Sequence, residues 1–115
     1  MDRRVGIYLN DIIKSIDEIL SYVESVENYE SFIQNDMVID AVVRNLEIIG
    51  EIANKLPNEL KEIHSNIPWR EMYGLRNLAI HEYHIIDNRV IWEIATENIV
   101  QNKIDIEKVI ENSNG

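Results

Sequence analysis

The sequence predicts an all-α fold, an antiparallel bundle of four to five helices forming a single domain over residues 1–115, and three observations carry that prediction. Apolar residues recur in steps of three and four along most of the chain, the stripe of an amphipathic helix. Only 4 Gly and 2 Pro interrupt it, so the elements are long and their connections short. No segment alternates with the period of a strand, and there is no internal repeat or low-complexity block. Helices joined by short loops pack as antiparallel neighbours.

Each element has its own justification. Val5, Leu9, Ile12, Ile13, Ile16, Ile19, Leu20, Val23 and Val26 form one stripe, opposite Asp11, Lys14, Asp17, Glu18, Glu24 and Glu27, which predicts a helix over about 3–28. Ser31 then suits the cap of a brief turn through Phe32 and Ile33. A second long helix begins at Asn35 or Asp36 and runs to about Leu56. Its apolar positions, from Met37 to Leu56, are too broad for one stripe, so it is expected at the centre of the bundle or at a subunit contact. Pro57 ends it or opens the next element. Residues 58–65 read as a short polar helix carrying Leu60 and Ile63. Pro68, at a first helical position, starts a helix to about Glu82. Asp87 or Asn88 caps the last helix, with Val90, Ile91, Ile94, Ala95, Asn98, Ile99, Ile104 and Val109 along it, and the tail from Asn112 frays.

Composition narrows the function. There is no cysteine, which excludes disulfides, thiolate metal sites and cysteine nucleophiles. No apolar run reaches the ~18 residues of a membrane span. The chain starts Met1-Asp2-Arg3-Arg4 and passes straight into the amphipathic pattern, without the apolar core of a signal peptide, so a cytoplasmic protein is expected. With 11 Lys+Arg against 21 Asp+Glu the net charge is −10, the opposite of the usual nucleic-acid footprint.

One stretch is not explained as core plus solvated face: Ile67 to His84. Gly74 inside a predicted helix costs roughly 1 kcal/mol relative to alanine, which points to close approach by another helix. Arg76, Asn77, His81 and Tyr83 bring a fixed cation, an amide, an imidazole and a phenol within eight residues. Metal-free phosphodiester cleavage needs one group to take the 2′-hydroxyl proton and another to protonate the leaving oxygen. Histidine, with an ordinary pKa near 6.5, suits both roles. A guanidinium suits the phosphate, because its planar fork holds two oxygens as charge builds. Arg76 and His81, five apart, point about 140° from each other on an ideal helix and differ by about 7.5 Å in rise. They converge only if the helix loosens near His81 or if two subunits share a site, and a two-fold pair would supply both base and acid.

Arg76, His81 and Tyr83 match the R-x-x-x-x-H-x-Y signature, and the chain resembles the HepT-like ribonuclease toxins of the HEPN family. The flanks agree: Asp40 to Glu51 looks like the family's central helix, followed by Ala53 to Pro57, then Pro68-Trp69-Arg70, Gly74-Leu75-Arg76-Asn77 and Val90-Ile91-Trp92. The resemblance implies a HEPN-like bundle that forms a homodimer, with the Arg–His pairs of both subunits in one cleft. It implies a metal-independent endoribonuclease, with RNA as substrate and no cofactor, acting as the toxin of a type VII-like toxin–antitoxin pair. The antitoxin implied is a minimal nucleotidyltransferase, which AMPylates the motif tyrosine and can build a higher oligomer with the toxin. Carried across, Arg76 and His81 are the catalytic candidates, Asn77 orients the scissile phosphate and Tyr83 is the modification site. AMP on Tyr83 would place phosphate charge and bulk beside His81. Neither DNA nor a membrane is an expected partner.

Other roles stand beside these. Arg76 suits a salt bridge with Glu71 or Glu82, and His81 suits a helix C-terminus, where the dipole favours a cation. Tyr83 also reads as an ordinary half-buried aromatic. His81 and His84 are spaced for zinc with Asp87 nearby, but His64 lies in another element, and no metal is expected. Trp69 and Trp92 read as core or interface anchors. Glu18, Glu24, Glu27 and Glu30 read as a solvated face. A non-catalytic subunit that recruits a nucleotidyltransferase is the alternative function, and such a scaffold has no need of an intact Arg76–His81 pair. Between Pro68 and His81 only Glu71 opposes Arg70 and Arg76, so RNA is expected at a local cationic cleft in an otherwise acidic protein.

Overall fold

The computed structural model describes residues 2–79 and 87–114, the side chains through Asn112, and every regular element among them is a helix. Helix α1 covers Arg3–Ser25 and begins where the Asp2 carboxylate accepts the Arg4 N–H at 2.8 Å. Its predicted stripe is buried through Val5, Leu9, Ile12, Ile16, Ile19 and Val23. It stops three residues earlier than expected because Glu27 takes a left-handed backbone, φ 65°, that turns the chain. Helix α2, Tyr29–Ile33, is capped by Asn28, whose side chain accepts the Ser31 N–H at 2.9 Å. Ser31 is therefore the capped residue and not the cap.

Helix α3, Asp36–Lys55, starts at Asn35, whose side chain accepts the Val38 N–H at 3.1 Å. It buries Ile39, Val42, Val43, Leu46, Ile49, Ile52 and Ala53 on a face wider than one stripe. The breadth has a cause, since α3 is packed along its length against α1 on one side and α5 on the other. Leu56 is extended, the conformation a following proline imposes, and Pro57 both ends α3 and caps α4, Asn58–Ile63.

Helix α5, Trp69–Asn77, begins one residue later than expected, with Pro68 as its N-cap. The Trp69 indole N–H donates to the His64 carbonyl at 3.0 Å, tying the entry of α5 to the end of α4. Leu78 and buried Ala79 continue the helical path, and the last expected residues, 80–82, lie outside the described residues.

The final helix is one continuous rod with a defect the periodicity does not announce. Asp87 caps it by accepting the Arg89 N–H at 2.9 Å. Helix α6, Asn88–Glu93, passes through a π-helical turn, Ile94–Asn98, into α7, Ile99–Asn114. Buried positions Ile91, Ala95 and Ile99 follow in steps of four. Such steps drift around an α-helix, and a widened turn keeps them on the core. The Thr96 hydroxyl donates to the Trp92 carbonyl at 2.7 Å within this region. Val90 and Ile104, expected on the core stripe, are 41% and 42% exposed, and Ile106 takes the buried place instead.

One buried cluster joins residues of α1, α2, α3, α5, α6 and α7. α7 runs antiparallel to α1, since Asn112 lines one cavity with Asp2 and Val5, and Lys103 pairs with Asp17 at 2.7 Å. Trp92 is an anchor, as expected: it stacks at 5.0 Å on Phe32 and edge-on at 6.2 Å to Tyr29, joining α2 to α6. Among the described residues no helix is long and apolar enough to cross a membrane. Because Ile49 sits fully buried on the central helix, Ile49→Ala should lower the unfolding free energy by about 2–5 kcal/mol. A urea titration with an unchanged slope is the measurement that checks it.

Candidate active site

The site begins at a contact between backbones. Gly50 on α3 faces Arg76 on α5, and a Cβ built on Gly50 would stand 2.6 Å from the Arg76 Cβ and 2.9 Å from its Cα, closer still to its backbone nitrogen. No side chain other than hydrogen fits there. The two helices therefore meet at the residue that carries the guanidinium.

Gly74 behaves in the opposite way. Close helix approach was expected at this glycine, yet a Cβ there would meet nothing within 4 Å. Gly74 instead borders an open groove of about 570 Å³ between α5 and the π-helical turn, walled by Met72, Leu75, Leu78 and Ile94 and reached by Asn98 and Asn102. The expectation went to the wrong glycine because a helix-interior glycine shows only that a side chain is missing. Which neighbour needs the space is set by helix packing.

Position 51 follows from position 50. Once Gly50 holds the Arg76 backbone against α3, the next side chain, Glu51, lies beside the guanidinium, and its Oε1 accepts the Arg76 Nε–H. Both side chains are partly open, 32% exposed for Arg76 and 39% for Glu51. An ion pair with Glu71 or Glu82 was the alternative role for Arg76, and the partner it has among the described residues comes instead from α3. Glu82 itself lies outside the described residues. The bond and charge of Glu51 hold the Arg76 guanidinium above its ordinary value, partial burial opposes this, and the Tyr73 phenol one turn away adds a smaller push upward. Arg76 accordingly remains a cation at every pH where RNA is intact.

Asn77 ends α5 with its side chain exposed, next to Arg76. His81 and Tyr83, the other two residues of the signature, and His84 lie outside the described residues. Asp87, considered as a zinc ligand, spends its carboxylate capping α6. Half-buried His64 ends α4. Glu51 also revises the charge of the site. The positive balance of the linear stretch from Pro68 to His81 does not carry over unchanged to the folded surface, because an acid from α3 stands against Arg76. Gly50 and Glu51 received no individual role from the sequence; a glycine-acid pair inside the broadest apolar helix was the available signal.

A helical bundle whose central helix seats an arginine through a glycine and an acid defines the class. The model of the family described as "Ribonuclease HepT-like" matches residues 12–111, and the chain belongs to that family. Its relatives agree. A "Putative RNase" of Methanocaldococcus jannaschii is 39% identical over 107 residues, covering 93% of this chain and 97% of the relative. A second protein so named from the same organism is 37% identical over 113 residues, 98% of this chain and 93% of its own. "Probable ribonuclease HepT" of Thermococcus cleftensis is 39% identical over 102 residues, 89% of this chain and 92% of the relative. No solved structure matches the chain.

The two glycines make opposite predictions. Gly74→Ala should stabilise the protein by about 0.5–1 kcal/mol, since helix propensity improves and the space is open. Gly50→Ala should destabilise it by about 1–3 kcal/mol, because the methyl group overlaps the Arg76 backbone. Thermal melts of the two variants beside the parent protein decide both.

Proposed function

We propose that this chain is a metal-independent endoribonuclease, the toxin of a type VII-like toxin–antitoxin pair acting on cytoplasmic RNA. The observation that carries the reading is the seating of Arg76 within a chain of the HepT-like ribonuclease family: Glu51 engages Nε, and the terminal nitrogens are the phosphate-binding part of the fork.

In the proposed reaction, the Arg76 terminal nitrogens grip the non-bridging oxygens of the scissile phosphate, with Asn77 helping to orient it. His81 takes the proton from the 2′-hydroxyl, and the 2′-oxygen attacks phosphorus. The bond from phosphorus to the 5′-oxygen breaks, and His81 of the partner subunit delivers a proton to that leaving oxygen. The products are a 2′,3′-cyclic phosphate and a free 5′-hydroxyl. No step calls for a metal or a cofactor. A homodimer is required in this scheme, because one imidazole cannot be base and acid in the same event.

Regulation follows from Tyr83, two residues beyond His81. A cognate minimal nucleotidyltransferase transfers AMP from ATP to the tyrosine oxygen, releasing pyrophosphate. The added phosphate repels the RNA backbone and its adenosine fills the cleft. The antitoxin thus acts as an enzyme on the toxin, within or before a larger complex.

The test uses labelled RNA with the purified protein in excess EDTA. The parent protein should cleave and leave 2′,3′-cyclic phosphate ends, while Arg76→Ala and His81→Ala should each lose about 100-fold or more in rate. Equal background cleavage by all three, both with EDTA and without it, would reject the ribonuclease reading and leave the recruiting subunit. Loss of cleavage with EDTA would reject metal independence. Intact mass after co-expression with the nucleotidyltransferase should show added AMP on the peptide containing Tyr83.

A further inference from the structure

We propose that Glu51 is a positioning residue for the reaction, holding the Arg76 guanidinium at its Nε so that both terminal nitrogens face the RNA phosphate. The inference rests on the ribonuclease reading above and adds to it a residue on a different helix from the signature.

The geometry supports the role in three ways. First, the carboxylate takes the one nitrogen of the guanidinium that lies within the side chain, and the Tyr73 phenol, one turn back on α5, adds a weaker hydrogen bond to the same group. An acid paired with the terminal nitrogens would compete with phosphate; an acid at Nε fixes the plane of the fork. Second, Glu51 is delivered by backbone contact. The Gly50–Arg76 approach sets the spacing of α3 and α5 at this level, so the Glu51 backbone is held beside Arg76 and only a side-chain rotamer separates its carboxylate from Nε. Third, the pair sits at the protein boundary, with both side chains about one-third exposed, where a phosphate can reach the arginine.

The competing account is an ordinary half-exposed ion pair, which contributes little to stability and nothing to turnover. The two accounts differ in kinetics. A carboxylate beside the cation repels the RNA backbone, so it works against substrate binding. Its value would lie in the rate of the bound complex, where misplacing a catalytic group by about 1 Å costs on the order of 100-fold. Removing it should therefore lower kcat without raising KM, and because a smaller folded fraction lowers apparent kcat in the same way, the melting curves and the Glu51→Gln rescue separate the two.

The experiment compares the parent protein with Glu51→Ala, Glu51→Gln and Arg76→Ala in RNA cleavage, with melting curves for each. Glu51→Ala should lower kcat by about 10- to 100-fold with KM unchanged or lower. Glu51→Gln, whose amide oxygen still accepts from Nε, should keep kcat within about threefold of the parent. The Arg76 Nε–H resonance should exchange slowly with water in the parent and in Glu51→Gln, and rapidly in Glu51→Ala. A Glu51→Ala enzyme with parental kcat, or a Glu51→Gln enzyme as slow as Glu51→Ala, would overturn the positioning role. If Arg76→Ala is inert and Glu51→Ala is not impaired, only this role falls. If Arg76→Ala cleaves like the parent, the ribonuclease reading falls and the role goes with it.

Discussion

At the middle of the molecule two helices touch through a glycine. α3 and α5 come together where Gly50 leaves room for the Arg76 backbone, and the position of Arg76 follows from that contact. α3 is in turn held from its other side by α1, whose stripe from Val5 to Val23 is buried along it. The arginine is thus referenced to the most buried helix of the bundle, although its own helix spans only Trp69–Asn77. A short helix alone would be marginal in water; packing supplies its stability. A small all-α protein in this way holds a cation in a defined place by helix packing and one ion pair.

The electrostatics follow from the same contact. The chain carries a net charge of −10, and the acid nearest to Arg76 comes from the central helix. Arg70 is exposed on the first turn of α5, with Glu71 beside it. A protein built this way offers RNA few unopposed phosphate contacts. On the proposed function, non-specific affinity is then weak and only shallowly dependent on salt. Selection of the RNA falls to shape and to unstacked loops. The acidic exterior and the local cation do not conflict, because net charge describes the whole surface and the proposed reaction uses one point of it.

Much of the architecture was legible. The stripe of α1, the caps at Asn35 and Asp87, each one of two neighbouring candidates, and the break at Pro57 are local features, set by side-chain spacing and by hydrogen bonds between near neighbours. The differences are also local: Asn28, not Ser31, caps α2, and α1 ends before the left-handed Glu27. The π-helical turn at Ile94–Asn98 escaped because the steps of four from Ile91 to Ala95 and Ile99 also fit an α-helical stripe.

The candidate site divides along the same line. By itself the sequence determined the helices, the family signature from Arg76 to Tyr83 and the residue types able to bind and cleave a phosphodiester, because these depend on spacing along one chain. The tertiary structure alone decided that Gly50, and not Gly74, is the glycine a neighbour needs, and that Glu51, not Glu71, takes the Nε of Arg76. Those two facts join residues 25 or 26 positions apart. No periodicity relates such positions, and they meet only when the buried faces of α3 and α5 are pressed together.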